Sequence, residues 1–188
     1  MKGKIELQAI FEFDENSARI WGYEVLYRGN IPNDLLFGGA NPAFEFELFK
    51  KEIKATRNID DLLTFNLSLK TLTEFQDEIK EVLRKRENIL IEVTEIPYSF
   101  KKVSEEIKRR LIIDDFLRKG SGLDRVLDLK PLAVKLEKEF VPIINLENFE
   151  FPVIVEKVEK LDELEKLKGK AKLFQGFLFK PYSIILDL

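Results

Sequence analysis

Two patterns of hydrophobic residues alternate along the chain. Short apolar runs rich in β-branched residues, such as 62–66 and 111–113, predict buried strands. Between such runs lie stretches with apolar residues every three or four positions, such as 71–87, which predict amphipathic helices. Strands and helices take turns through most of the chain, and this order favours a parallel sheet.

The pattern predicts about eight strands and five helices. The strands are expected at 5–13, 18–28, 62–68, 88–95, 111–116, 132–137, 151–159 and 172–179. The helices are expected at 44–57, 71–87, 99–110, 122–129 and 161–170. Because only a four-residue turn, 14–17, joins the first two strands, we expect one antiparallel strand in an otherwise parallel sheet.

About eight strands alternating with helices favour an α/β fold of the TIM-like (β/α) barrel type, with a three-layer sandwich as the alternative. The segment 138–150 has no amphipathic period, although a parallel crossover normally contains a helix. The barrel is therefore expected to miss the helix between strands 6 and 7. At 188 residues the chain is expected to form a single domain over 1–188.

The composition removes several classes of chemistry. The chain has no cysteine and no histidine, which excludes thiolate nucleophiles, Ser-His-Asp triads and Cys/His zinc sites. Charged residues make up 35%, a balance that favours a thermophilic source. The net charge of −3 disfavours a nucleic-acid polymer as partner. No secretory signal and no apolar run long enough for a membrane span are present, so a cytoplasmic location is expected.

Polar residues stand near the ends of most predicted strands. They are Glu24, Asn66, Glu92, Asp114, Asp115, Lys135, Glu156 and Gln175. In a parallel barrel these strand ends meet on one face, where active sites are built. Adjacent carboxylates such as Asp114 and Asp115 repel each other and resist burial, so a cation should neutralise them. All-oxygen ligands select Mg²⁺, Mn²⁺ or Ca²⁺, and an Asp that bridges two ions is typical of hydrolytic sites.

Seven segments resemble, in order, the motifs of the EAL domain family. Residues 24–26 resemble its Glu-Ala-Leu, 66–68 its Asn-x-Ser and 92–95 its Glu-x-Thr-Glu. Residues 114–116 resemble its Asp-Asp-Phe, and 134–137 its Leu-Lys-Ile-Asp. Residues 154–159 are similar to its Val-Ala-Glu-Gly-Val-Glu, and 174–181 to its closing Gln-Gly segment. The spacing from Asp114 to Lys135 is also that of the family.

The resemblance implies a metal-dependent phosphodiesterase that hydrolyses cyclic di-GMP to the linear dinucleotide pGpG with two Mg²⁺ or Mn²⁺ ions. It assigns one ion to Glu24, Asn66, Glu92 and Asp114, and the second ion to Asp114, Asp115 and Glu156. It makes Lys135, Glu156 and Glu159 catalytic, with Lys135 orienting or activating the attacking water. It gives substrate contacts to Gln8, Arg28 and Gln175, with Arg28 facing a phosphate, and loop support to Glu95.

The chain departs from the family at two places near the site. Leu117, Arg118 and Lys119 stand where the family has Gly-Thr-Gly, and Lys157 replaces a glycine beside Glu156. The absent helix also lies where family dimers pack, so the family's usual dimer is not expected, and a homodimer of another kind or a partner protein is the candidate for that side.

These departures keep an alternative open, namely an inactive EAL-like domain that acts as a cyclic-di-GMP sensor or a protein-interaction scaffold. An unrelated barrel enzyme such as an enolase-like lyase is disfavoured, because the chain has no room for a capping domain.

Overall fold

A computed structural model describes residues 3–29, 41–93, 103–117, 126, 130–182 and 184–188. It contains nine strands within these residues. They are β1 Lys4–Phe13, β2 Ala18–Arg28, β3 Leu62–Asn66, β4 Ile89–Val93, β5 Leu111–Ile113, β6 Ala133–Glu137, β7 Val153–Glu156, β8 Leu173–Gln175 and β9 Ile184–Asp187. The helices are α1 Pro42–Ala55, α2 Leu69–Glu74, α3 Gln76–Lys85, α4 Glu105–Lys108 and α5 Leu161–Leu167.

The first eight strands form a closed barrel. Strands β2 to β8 pair in parallel in chain order. Strand β1 closes the ring, because it pairs antiparallel with β2 on one edge and with β8 on the other. The predicted TIM-like α/β barrel with one antiparallel strand is therefore confirmed, and the sandwich alternative is wrong.

A ninth strand extends the sheet outside the ring. Strand β9 pairs antiparallel with the first residues of β1, Lys4 to Leu7, next to the part of β1 that pairs with β8. The sequence pattern did not predict it, because its apolar residues do not alternate with polar ones. Ile184 and Ile185 are both exposed, so burial on one face does not explain this strand.

The predicted helix 71–87 is two helices instead of one. Helix α2 begins after Ser68, whose hydroxyl accepts a hydrogen bond from the Thr71 backbone N–H. The helical path breaks at Phe75, whose ring stacks on Phe46 of α1 with centroids 4.4 Å apart. Most of the predicted helix 122–129, and the first residues of 99–110, lie outside the described residues.

No α-helix covers the connection from β6 to β7, as predicted. Two 3₁₀ turns, Lys138–Ile143 and Leu146–Asn148, replace it, and Pro142 within the first turn is incompatible with a longer helix. Phe149 packs edge-on against Phe116, while Ile143 is 77% exposed.

The described residues include no helix with the length and apolarity of a membrane span. The single-domain, homodimer and cytoplasmic expectations stay predictions.

The barrel interior is layered along the strand direction. Its lower layer is apolar and consists of Ile10, Leu90, Ile112, Ala133, Ile154 and Leu173. Side chains two positions apart on a strand share one face. The residues two positions nearer the C-terminal ends of the parallel strands therefore point into the same interior, and there the sequence places acids, amides and one lysine.

Candidate active site

The second interior layer brings most of the predicted site residues together. Lys135 on β6 is 0% exposed, and its ammonium lies among three carboxylates. The Nζ atom is 2.8 Å from Glu24 Oε2, 2.7 Å from Glu92 Oε2 and 3.4 Å from Glu156 Oε1. We call Lys135, Glu24, Glu92, Asp114, Asp115 and Glu156 the strand-end cluster.

Lys135 is charged despite its burial. Burial alone would lower the pKa of its ammonium, but Glu24 and Glu92 outweigh that effect and hold the pKa well above its usual value. The charged lysine thus neutralises part of the acidic cluster, and its position is fixed by partners on three different strands.

Glu24 is ionised and fully hydrogen-bonded. Burial alone would raise the pKa of its carboxyl, but Lys135 and two amide donors reverse the effect and lower the pKa. Asn66 Nδ2 donates to Oε1 at 2.8 Å, and Gln175 Nε2 donates to Oε2 at 2.6 Å. The predicted residues Asn66 and Gln175 therefore touch the same carboxylate.

The pKa of Glu92 is shifted in the opposite direction to that of Glu24. Burial first, and then the charge of Glu24, raise the pKa of Glu92 well above its usual value, although Lys135 opposes the shift. Thr64, two residues before Asn66 on β3, donates its hydroxyl to Glu92 Oε1. We did not predict Thr64 as a site residue, although its position on the same strand face as Asn66 was a usable signal.

Three carboxylates form a group with the geometry of a cation site. Oxygen atoms of Asp114, Asp115 and Glu156 lie within 4.8 Å of one another. Burial, followed by the charges of Glu24 and Asp115, raises the pKa of Asp114 against the effect of Lys135. Burial and Asp114 likewise raise the pKa of Glu156 to about 7, again against Lys135. A cation bound there would relieve this repulsion.

The donor chemistry of the cluster fits hard divalent cations. All candidate ligand atoms are oxygens, which Mg²⁺ and Mn²⁺ prefer. One buried acceptor, Gln175 Oε1, accepts no hydrogen bond from the described residues, whereas Glu92 Oε2 lies 2.7 Å from the Lys135 ammonium. A buried acceptor without a donor is unfavourable in a folded protein, so an additional positive group near Gln175 Oε1 would stabilise the site.

Comparison with solved structures identifies the fold. The Bacillus subtilis protein YkuI, with an EAL domain and in complex with substrate cyclic di-GMP and calcium, superposes with a TM-score of 0.74 at 19% identity, over 93% of this chain and 54% of YkuI. Klebsiella pneumoniae BlrP1, in a manganese and cyclic di-GMP complex, gives 0.73 at 26% identity, over 98% of this chain and 56% of BlrP1. The EAL-like domain protein YdiV gives 0.76 at 14% identity, over 100% and 92% of the two chains.

The chain therefore has the fold of these EAL-domain structures. It spans about half the length of the YkuI and BlrP1 chains. No protein-family model matches the sequence, and no curated protein matches it.

A cleft of about 200 Å³ opens beside the strand-end cluster, and the predicted substrate-binding residues line it. Gln8 lies next to Gln175, whose Nε2 is 3.3 Å from Gln8 Oε1. Arg28 also lines the cleft, but its Nε donates to Glu6 on β1 at 2.7 Å. A ligand phosphate would therefore compete with Glu6 for Arg28, a partner that we did not predict.

Glu159 lies at the rim of the cleft, outside the cluster around Lys135. Its side chain is exposed, and its backbone N–H donates to Glu163 Oε2 at 2.9 Å. The structure thus brings Glu159 to the cleft but not into contact with Lys135. Glu95, Arg118 and Lys119 fall outside the described residues.

Two residues that replace family glycines adopt the backbone conformation that favours glycine. Leu117 has a φ of 75° and Lys157 a φ of 60°, both in the left-handed region. Asp115 shares this conformation with a φ of 50°, which an aspartate adopts more readily than most residues. The ammonium of Lys157 contacts Glu137 on β6, so the extra cation is held at the cleft wall.

Proposed function

We propose that this EAL-like domain is a metal-dependent phosphodiesterase that hydrolyses cyclic di-GMP to linear pGpG. The observation that carries the proposal is the strand-end cluster, in which five carboxylates and one ammonium converge beside an open cleft. The solved structures of YkuI and BlrP1 support it, because they hold cyclic di-GMP with calcium and with manganese on the same fold.

The charge of the cluster supports two divalent ions. With all five carboxylates ionised, the single ammonium leaves four negative charges, which two Mg²⁺ or Mn²⁺ ions would balance. Glu24, Asn66, Glu92 and Asp114 would hold one ion, and Asp114, Asp115 and Glu156 the other. When bound, such ions lower the pKa of a shared water and stabilise the leaving sugar oxygen.

The chain's own residues position the reactants. The Lys135 ammonium lies 2.8 Å from Glu24 and 2.7 Å from Glu92, so it would hold the metal ligands together and orient the attacking water. Arg28 offers a fork of donors to a phosphate, as suits an anionic substrate. Gln8 and Gln175 present amide groups on the same side of the cleft, and Glu159 at the rim would act on the same water or ligand network.

A second candidate function is a cyclic-di-GMP sensor without hydrolytic activity. The observation that favours it is the position of Lys135, whose ammonium already pairs with Glu24 and lies 2.7 Å from Glu92. A domain that is stable in this state would keep its cleft and its fold even if it bound no divalent ion.

Metal binding and turnover distinguish the two functions. Calorimetry with Mn²⁺ should show tight binding by the wild type and none by Asp114→Asn, which loses a charge shared by both proposed ions. Chromatography of cyclic di-GMP incubated with Mn²⁺ should show pGpG with the wild type only. The exposed Asp162→Asn variant on α5 is the matched control and should behave as the wild type. Mn²⁺ binding unchanged in Asp114→Asn would overturn the metal assignment, and binding of cyclic di-GMP without pGpG would favour the sensor.

A further inference from the structure

A buried glutamate on α1 lies apart from the strand-end cluster and contacts the chain just after Asn66. Glu45 is 1% exposed. Its Oε1 atom accepts a hydrogen bond from the backbone N–H of Ser68. Its Oε2 atom accepts from the Ser68 hydroxyl at 2.6 Å and from the Thr71 hydroxyl. One side chain thus receives three hydrogen bonds from a single short segment of another element.

The segment that Glu45 holds is directly connected to the candidate metal ligand Asn66. The N–H of Leu67 donates to the carbonyl oxygen of Glu92 on β4 at 3.0 Å, and the next N–H, that of Ser68, donates to Glu45. Both peptide groups that follow Asn66 are therefore fixed, one by the sheet and one by Glu45. With its backbone fixed, Asn66 directs Nδ2 to Glu24 at 2.8 Å.

We infer that Glu45 is a positioning residue for the candidate active site, because it anchors Ser68 and so fixes the direction in which Asn66 points. Its effect on metal binding rests on the proposed function, whereas its effect on Asn66 does not. Outer residues that orient metal ligands contribute to affinity without touching the ion.

A second buried glutamate on the same helix shows that burial alone does not give this role. Glu52 lies seven residues after Glu45 on the same face and is 3% exposed. Its Oε1 atom has no hydrogen-bond partner within the described part of the chain. Ser68 is hydrogen-bonded to Glu45 and not to Glu52, so a variant of Glu52 is a matched control for a variant of Glu45.

The side-chain amide of Asn66 gives a readout that needs neither metal nor turnover. Its ¹H–¹⁵N signal, assigned by its loss in Asn66→Ser, should exchange slowly with solvent in the metal-free wild type. Glu45→Met should speed this exchange by about tenfold or more, because the Ser68 N–H loses its acceptor and the segment loosens. Glu52→Met should leave the signal unchanged. Glu45→Gln should resemble the wild type, since an amide can accept from the N–H and donate to the hydroxyls.

Mn²⁺ affinity provides the second readout. Calorimetry should show about tenfold or greater weakening in Glu45→Met, and little change in Glu45→Gln or Glu52→Met. If the role of Glu45 were purely structural, Glu45→Gln and Glu45→Met would have the same Mn²⁺ affinity when compared at the same folded fraction. If Glu45→Met does not fold, Ser68→Ala takes its place and should still speed the Asn66 exchange severalfold.

Each outcome decides one question. An Asn66 signal that is unchanged in Glu45→Met, or in Ser68→Ala where that variant is needed, overturns the inference. An equal change in Glu52→Met overturns it as well. A wild type that binds no Mn²⁺ overturns the proposed function, while the amide signal of Asn66 still decides the role of Glu45.

Discussion

The protein buries acidic side chains in two regions and neutralises them differently. In the strand-end cluster, Glu24 and Glu92 lie within 2.8 Å of the Lys135 ammonium. On α1, Glu45 and Glu52 form no ion pair with any cation of the described ranges. Glu45 is satisfied by neutral donors from Ser68 and Thr71 instead. Burial, followed by the charge of Glu45, raises the pKa of Glu52 to about 8, so that Glu52 is mostly protonated at neutral pH.

The difference shows what makes a buried acid functional. A carboxylate can be stabilised in the interior by a cation, by hydrogen-bond donors or by a proton. The α1 pair uses donors and a proton and is closed to solvent. The strand-end cluster uses a cation and lies beside an open cleft, where further cations can enter. Cations can therefore bind to and leave the strand-end cluster, whereas the two glutamates of α1 are inaccessible to them.

Removal of the buried cation should have the largest effect on stability. Lys135→Met leaves Glu24 and Glu92 buried without a counter-ion, and the free energy of unfolding at pH 7 should fall by about 3–5 kcal/mol. Urea denaturation in the presence of a chelator measures this. The exposed Lys166→Met on α5 should change stability by less than about 1 kcal/mol. A similarly small loss in Lys135→Met would show that the cluster does not depend on its lysine.

Replacement of Glu52 by a neutral residue should stabilise the protein relative to the wild type, unlike the replacement of Lys135, and the gain should depend on pH. The pKa of Glu52 is raised from 4.5 to about 8, so the folded state keeps a proton that the unfolded state loses between these values. The titration of Glu52 therefore lowers the stability of the wild type as the pH rises from 5 to 8. Glu52→Gln lacks this titration, so it should not lose stability for this reason. The variant should gain on the order of 3 kcal/mol relative to the wild type over that window. Urea denaturation at both pH values tests this, with the exposed Glu78→Gln as control; equal gains at pH 5 and pH 8 would contradict it.

Added metal should stabilise the cluster region, and this gain should not depend on Glu52 of α1. At about 100 times its dissociation constant, Mn²⁺ should raise the free energy of unfolding of the wild type by about 2–3 kcal/mol. Thermal unfolding should show the same gain in Glu52→Gln and none in Asp114→Asn. A gain that survives in Asp114→Asn would place the ion elsewhere.

Removal of Lys157, the half-exposed cation at the cleft wall, should have the smallest effect on stability. Lys157→Gly loses the contact with Glu137 but relieves a φ of 60°, so its unfolding free energy should stay within about 1 kcal/mol of the wild type. The Lys157 side chain is 47% exposed, in contrast to the buried Lys135. A loss as large as that of Lys135→Met would mean that burial is not what separates the two lysines.

The barrel, and the convergence of most of the predicted site residues at its strand ends, could be predicted from the sequence. Successive side chains of a strand point to opposite faces of the sheet, so a polar residue two positions after an inward-facing apolar residue also faces inward, and this is visible in the sequence. Ile112 and Asp114, or Ala133 and Lys135, show this pattern directly. The segment without a helix between β6 and β7 was equally visible, because a helix needs a local amphipathic period and Pro142 interrupts any candidate.

The partners of the charged residues, in contrast, could not be predicted from the sequence. Glu45 meets Ser68 across 23 positions, and Arg28 meets Glu6 across 22, so no local pattern connects them. The break of the helical segment at Phe75 depends on a ring in α1, and β9 depends on the free edge of β1. The state of each acid depends on burial and on neighbours brought close by closure of the barrel. For that reason Glu24 is ionised whereas Glu52 keeps its proton, although both appear in the sequence as ordinary glutamates.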